Sequence, residues 1–531
     1  MAPVDQKMEG SLFTKKQVFM SITAIFMGFF VNAYFMQSLG NATPKIAADL
    51  KGMALIGWSV SIPSLGLALA TLLAGKLSDI YGRRALLLAA MTFILLGSVF
   101  SGISTTFIAF IAARTLLSLG LGIISPLCYT VIGDIFSRAA DRGKWIGLLN
   151  IPMGLPTLFA PTLAGWIVDQ KGWQNIFWWA LPFTVLCILV IYGMPPLVQK
   201  VSRKVDYLGA FFATLASSAM IFGFSFAGTT YPWASKEVIS LLAGAVVFGV
   251  IFLYVESKAD EPFLHLELLK NRTFMTASIA GFLSFFGMMS VTLYFPLLMQ
   301  GIQGRTAMQS GQIITPFGVL MAFIGVPTGF LLARTKKYKL LFVVGYGVVA
   351  AAMIGMIFFD RDTSAFWGVT AAVLAGMGLG VIPTINTLLI QAAVPRKLMG
   401  SAMAVLFFSI SIGMATASAI QNSAMNIQYN SSLAALLPHS LTEAVDAETR
   451  LILSDSSVLL KEDAKGDLQK IVESSGVTDP GLFEQTFDAI RTSAEKGLTV
   501  VFLIAAITMF LAFLLIITIP SIPMDRPEGE G

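Results

Sequence analysis

Residues 71–90 read Thr71-Leu-Leu-Ala-Gly75-Lys76-Leu-Ser-Asp79-Ile-Tyr-Gly82-Arg83-Arg84-Ala-Leu-Leu-Leu-Ala-Ala90. One apolar run, 55–75, enters this stretch and another, 85–104, leaves it. A bilayer core of roughly 30 Å takes about 20 residues of helix, and each flanking run has that length. Gly75 and Gly82 bracket the join and permit a tight turn between two helices. Lys76, Arg83 and Arg84 put three cations on it. The stretch therefore reads as a short, charged turn between two membrane-spanning helices.

Working outward, further runs of spanning length lie at 17–37, 107–130, 145–168, 176–194, 207–227 and 237–255. A second set lies at 274–299, 310–333, 340–358, 365–388, 399–421 and 498–519. With the two that flank the charged turn, the chain has about fourteen transmembrane helices. Composition agrees: the 531 residues are 56% hydrophobic and 12% charged, where a soluble chain carries roughly 25% charge. So large an apolar surplus cannot be hidden inside a water-soluble core. The first run is too long for the apolar region of a signal peptide and is followed by no small-x-small cleavage site, so it reads as the first span. The fifth span, with Pro152, Gly154, Pro156, Pro161 and Gly165, should be bent and closely packed.

The cations set the orientation. With the N-terminus inside, 22 of the 35 basic residues fall in cytoplasmic segments and six in short outer loops. Arg114 lies within a span, and the remaining six fall in one long outer loop, about 422–496. Both termini are expected in the cytoplasm, in a plasma (inner) membrane. The long loop holds twelve acidic residues. Asp479 and Pro480 read as an N-cap followed by proline at the first helical position. Phe483, Phe487 and Ile490 then recur at helical spacing, so an amphipathic hairpin on the outer face is expected.

Several classes are excluded. Basic residues are scattered through loops, which is no nucleic-acid footprint. Cys128 and Cys187 both sit in apolar runs, and the two histidines, His265 and His439, share no metal-ligand spacing. No nucleotide loop, nucleophile–histidine pair or metal cluster appears, so neither an enzyme nor a cofactor is expected.

The chain also repeats itself. Gly120-Leu-Gly122 resembles Gly378-Leu-Gly380, Arg142 matches Arg396, and Gly75-Lys-Leu matches Gly329-Phe-Leu, at offsets of 258, 254 and 254 residues. Two six-helix bundles with two helices inserted between them follow from that spacing. The bounds are an N-terminal bundle at 1–199, the inserted pair and a linker at 200–272, and a C-terminal bundle with the long loop at 273–531.

The run Gly75 to Arg84 resembles the G-x-L-x-D-x-x-G-R-R signature of the major facilitator superfamily. The resemblance implies the all-α major facilitator fold, with Gly75, Asp79, Gly82, Arg83 and Arg84 as a gating motif. Asp79 can pair with an arginine or face a helix N-terminus across the halves. Ala160-Pro161-Thr-Leu-Ala164-Gly165 is similar to the G-P-x-x-G-G element of antiporters, with alanine at two glycine positions. Trp58, Tyr294-Phe-Pro296 with Gly304 and Gly311, and Glu261-Pro262 before Asn271-Arg272 are similar to elements of the drug:proton antiporter-2 subfamily, mostly fourteen-span multidrug exporters. Three positions depart from that subfamily: Phe35 stands where its first-span aspartate would be, Ile410 in place of an arginine, and Ala333 in place of an aspartate.

A proton-coupled carrier needs a titratable group within its spans. No Asp, Glu or His falls at mid-span; Asp134, at the inner end of the fourth span, is the nearest substitute. Arg114 is costly at its depth and should face a cavity or the bundle interior, or else snorkel to the outer interface; it resembles the membrane-embedded arginine of the family's second motif. Asn32, Gln37, Asn150, Tyr294, Asn386 and Gln391 are the polar candidates for substrate contact, alongside Phe35. The 41 Phe and 25 Met favour an apolar, adaptable cavity. The expectation is a monomeric exporter of lipophilic or amphipathic molecules working by alternating access, with protons as the candidate counter-ion. An uncoupled facilitator, a carrier of lipid-like molecules and a non-transporting sensor are the alternatives.

Overall fold

The computed structural model describes residues 14–52, 55–136, 138–197, 206–228, 231–259, 262, 264–335, 338–395, 398–438, 453, 469 and 481–520, apart from some side chains within them. The elements are α1 (Lys15–Asp49), α2 (Ile56–Tyr81), α3 (Arg83–Gly102), α4 (Phe107–Ile135), α5 (Ala139–Leu148), α6 (Asn150–Lys171) and α7 (Asn175–Tyr192). There follow α8 (Tyr207–Phe226), α9 (Lys236–Lys258), the short α10 (Leu266–Lys270), α11 (Arg272–Met289), α12 (Phe295–Leu297), α13 (Ala307–Phe323) and α14 (Gly325–Thr335). The chain ends with α15 (Tyr338–Met356), α16 (Ala365–Ala393), α17 (Met399–Leu436) and α18 (Leu482–Ile517). Among the described residues, 13 helices are long and apolar enough to cross a membrane.

Helix starts follow local chemistry. The Thr106 hydroxyl accepts from the Ala109 amide at 3.2 Å, and Asn271 accepts from the Phe274 amide at 3.1 Å. Thr306 and Gln309 form a reciprocal capping box. Each satisfies amides that the first turn leaves without partners.

Prolines set the internal breaks, because a proline cannot donate to the carbonyl four residues back. Pro152 withholds the bond that Leu148 would accept, and α5 ends at Leu148. Pro327 does the same to Phe323, where α13 ends. The segment expected as the fifth span is thus the pair α5 and α6, which is not among the 13 spanning helices of the described residues, and the tenth is α13 and α14. In the ninth span, Pro296 lies between two π-helical turns, Ser290–Tyr294 and Leu298–Ile302. Pro161 and Gly165 fall within α6, but their side chains lie outside the described residues.

The long loop is shorter than 422–496. Helix α17 continues to Leu436, and α18 begins at Leu482 and runs unbroken into the last span. Helices α17 and α18 pack on each other, and within the first turns of α18 the Phe483 and Phe487 rings stack at 6.0 Å. The hairpin expected to lie flat on the surface is, at its described ends, an extension of two spans. Asp479 and Pro480 lie outside the described residues.

Two bundles are visible in the packing. Helix α4 packs on α2 and α3, while α1 packs on α4, α6 and α7. In the second bundle, α16 packs on α13 and α15, and α18 on α11, α15 and α17. The repeated glycines do corresponding work. Methyl groups on Gly120 and Gly122 would strike the backbones of Ala90 in α3 and Leu67 in α2, and on Gly378 and Gly380 those of Gly345 in α15 and Met321 in α13. Small residues let helix backbones touch where no hydrophobic force drives association in lipid. Helices α8 and α9 pack on each other, and α8 lies against the seam of α2 and α17. Trp58 of α2 meets Phe222 and Phe226 of α8 at 5.7 and 5.4 Å.

Candidate functional site between the two halves

The turn between α2 and α3 is made by Gly82, whose φ of 89° is one that L side chains rarely adopt. It swings the start of α3 back under α2 and puts Arg83 in the interior, 1% exposed. A buried guanidinium needs charged partners. Nη1 lies 2.5 Å from Oδ1 of Asp79, Nε donates to Oδ2 of Asp134 at 2.9 Å, and Arg83 also donates to the Ser78 hydroxyl. One cation thus ties the ends of α2, α3 and α4. Arg84 turns outward and stacks over the Tyr192 ring at 5.8 Å.

Asp79 also faces the other half. A methyl group on Gly400, in the first turn of α17, would sit 2.7 Å from Asp79 Oδ1. The carboxylate therefore lies over a helix N-terminus, where the dipole favours negative charge. Across the halves Asp79 thus faces a helix end, while its arginine partner, Arg83, comes from its own half.

Around this point the halves touch through backbone. A methyl group on Gly75 would meet the Gly400 carbonyl oxygen at 2.5 Å and the Ala404 methyl at 2.8 Å. On the other side of the seam, one on Gly147 would meet the Gly325 carbonyl oxygen at 2.6 Å, and one on Gly329 the Gly147 Cα at 3.1 Å. Gly329 is the counterpart of Gly75 at the 254-residue offset. Contacts of α2 with α17 and of α5 with α14 are thus two copies of one joint.

Polar bridges reinforce the joints. The Asn150 amide donates to Thr384 Oγ1 at 2.9 Å, and Gln391 donates to the Tyr129 carbonyl at 3.0 Å. The Tyr129 ring stacks on Phe407 of α17 at 5.1 Å. All these contacts lie toward the face that carries the 82–83 turn, called the motif face below. Deeper in the seam, a cavity of about 90 Å³ is lined by Asn150, Met153, Ser284, Phe285, Met288 and Met321, among others. Its walls come from α6 of one half and α11, α13 and α16 of the other.

The remaining candidates are distributed unevenly. Asn32 donates to the Leu121 carbonyl at 2.8 Å, a tie between α1 and α4 within one half. Arg114 Nη1 donates to Thr43 Oγ1 at 3.0 Å, which joins the same two helices near the face opposite the motif. Phe35 is 0% exposed, between Tyr34 and Phe177, and so packs inside the first bundle. Tyr294, in the first π-helical turn, is 7% exposed. Asn386 is 2% exposed; its amide lies beside Gly281 and its Oδ1 accepts no hydrogen bond among the described residues. Asp134 belongs to the Arg83 network. No Asp, Glu or His lies at mid-span among the described residues. Gly147, Gly325, Gly400, Thr384 and Tyr129 were not foreseen as seam residues. Gly143 with Gly147 and Gly325 with Gly329 are each spaced four apart, a close-packing pattern that could have shown them.

Helices packed as two lobes about a seam, with a charged turn at one end and an apolar cavity within, define a multi-pass membrane carrier. The sequence pattern of the Major Facilitator Superfamily matches residues 25–418, and the chain belongs to that superfamily, whose members are transporters and not enzymes. It is 28% identical over 502 residues to the multidrug transporter protein MdtP of Bacillus subtilis (strain 168), with 92% of each chain covered. It is 28% identical over 364 residues to multidrug resistance protein 3 of the same organism, covering 68% of this chain and 70% of that one. Among solved structures it resembles the human organic anion transporter MFSD10 (TETRAN), with a TM-score of 0.59 at 14% identity over 94% of this chain and 99% of that one. That likeness speaks for the fold alone.

Proposed function

We propose that this transporter exports lipophilic or amphipathic small molecules by alternating access. The observation that carries the reading is the pair of matched glycine joints, Gly75 on Gly400 and Gly147 on Gly325, beside a cavity walled by Met153, Met288, Met321 and Phe285. Joints of bare backbone separate without stripping side-chain contacts, so two bundles can rock on them. Thioether and aromatic walls accept ligands of many shapes. The names of the similar bacterial proteins, multidrug transporters, point the same way.

In this reading the motif face is cytoplasmic, as the excess of cations there favours, both termini lie on that side, and the membrane is the bacterial inner membrane. The bundles at 1–199 and 273–531 are the rocking bodies, with 200–272 riding on the first-to-second seam through α8. Asp79, Arg83 and Asp134 hold the closed motif face, Gly75 and Gly82 shape it, and Arg84 anchors it to Tyr192. Asn150 and Asn386 contact substrate, and Tyr294 borders the path. Asn32 and Arg114 tie α1 to α4, and Phe35 packs the bundle. Pro161 and Gly165 keep the antiporter-like bend.

A second reading is uncoupled facilitation, favoured by the lack of a carboxylate at mid-span among the described residues. Dye accumulation in a pump-deleted host expressing this chain separates the two. Efflux that collapses on adding an uncoupler supports proton-driven export through the Asp79–Asp134 network. Equilibration that ignores the uncoupler supports a facilitator, and no flux of any lipophilic dye overturns both.

A further inference from the structure

A second cavity, about 580 Å³ in volume, lies away from the seam, between α14, α15 and α16. Its size falls within the roughly 300–1,000 Å³ of sites that hold small-molecule ligands. Its walls include Pro327, Leu331, Val344 and Val348, with Gly345 and Gly378 where α15 and α16 meet backbone to backbone. Phe330, Leu331 and Val344 are 46%, 46% and 50% exposed, and all three lie on membrane-spanning helices. The groove therefore opens sideways into the bilayer.

One end of the groove is different. Arg334, in the last turn of α14, lines it at the motif-face end, and Lys339 stands in the first turn of α15 at the same level. Arg334 has no carboxylate within ion-pair distance among the described residues. An apolar trough between spans that ends in a guanidinium with no carboxylate partner among the described residues matches one kind of occupant. Its body must be hydrocarbon, and its head must be anionic and sit at headgroup depth.

We propose that this groove binds one anionic phospholipid from the leaflet on the motif face, an acyl chain lying along Leu331, Val344 and Val348 and the phosphate on Arg334. The opposite face of α14, through Gly325 and Gly329, is the face that packs on α5. The lipid thus sits behind one of the two joints of the seam. A transported dye would have to reach the cavity between the halves, and this groove is closed from it by α14 and α16 themselves.

The test is native mass spectrometry of the full chain in mild detergent, titrated with phosphatidylglycerol or phosphatidylcholine of identical acyl chains. The expected result is a first phosphatidylglycerol adduct about fivefold tighter than the phosphatidylcholine one, the scale of one basic residue on an anionic head. Arg334→Gln should erase that preference and Arg334→Lys retain most of it. Val344→Trp, which fills an exposed trough without touching the bundle interior, should remove the first adduct of both lipids while the protein stays monodisperse. Equal affinity for the two lipids, a preference that survives Arg334→Gln, or adducts unaffected by Val344→Trp would each overturn the proposal. So would displacement of the lipid by a transported dye alone, which would make the groove a substrate path.

Discussion

Gly75 of α2 lies so close to Gly400 of α17 that a methyl group on it would meet the Gly400 carbonyl oxygen at 2.5 Å. The two residues are far apart in sequence and belong to different bundles, so this contact is a measure of how fully the motif face is shut. It has a partner on the other flank of the seam, where Gly329 meets Gly147. Because both obstructing atoms are backbone, neither can swing aside as a side-chain tip would.

Gly75→Ala should therefore hold the motif face ajar. Dye efflux is expected to fall at least about tenfold, equivalent to roughly 1.4 kcal/mol against the closed state, with membrane expression unchanged. Gly329→Ala should do the same from the other flank. Normal efflux in both variants would show that the joints do not gate.

Removing Asp79 and removing Arg83 should differ in kind. Asp79→Asn leaves Arg83 paired with Asp134, so the fold survives while the negative charge over the start of α17 is lost. Transport should drop without loss of protein. Arg83→Ala strands two carboxylates in a buried place, a change that costs about 3–5 kcal/mol when one partner of a buried pair goes. Its melting temperature and yield should both fall, and comparing thermal unfolding of the two purified variants checks the contrast.

Asn150 and Thr384 join the halves through one hydrogen bond of 2.9 Å. Asn150→Ala and Thr384→Val should each weaken the closed state by about 1 kcal/mol. In a double-mutant cycle on initial efflux rates the double variant should cost little more than Asn150→Ala alone, which also loses the proposed substrate contact. Strict additivity would mean that the pair does not act as a bridge.

Phe35→Asp tests whether the aspartate position of the drug exporters can be refilled. Phe35 is fully buried between Tyr34 and Phe177, so an ionised carboxylate there would lack partners and be strongly unfavourable. The expected outcome is poor expression and a lowered melting temperature. A well-folded variant with newly uncoupler-sensitive efflux would contradict this placement.

How much of this was legible beforehand depends on the scale of the signal. Span-length apolar runs and the sidedness of cations are long-range patterns, and they led to the helices and to Gly82 as the turn. The 254-residue offset of Gly75 and Gly329 pointed to two bundles, and both residues proved to sit at equivalent joints. Helix breaks were less visible. Prolines at 152 and 327 act on carbonyls four residues earlier, so α5 and α13 stop before the prolines themselves. The ends of α17 and α18 were misjudged because hydropathy reports where lipid stops, whereas a helix continues while its neighbour still packs on it. Partner choice in the seam was the least readable part. Asn32 and Asn150 look alike in sequence, yet one ties helices within a bundle and the other bridges the two. Only the packing of helices distant in sequence decides that.

The central claim is that the bundles rock on the joints at the motif face, and a distance across that face tests it most directly. Spin labels at Tyr81→Cys, at the end of α2, and Thr335→Cys, at the end of α14, would report it in lipid nanodiscs. The native Cys128 and Cys187 are buried and so spared from labelling. Pulsed electron paramagnetic resonance should give two distance populations, the shorter one corresponding to the closed joints and losing weight in Gly75→Ala. A single distribution, unchanged by a transported dye and by Gly75→Ala, would contradict the account.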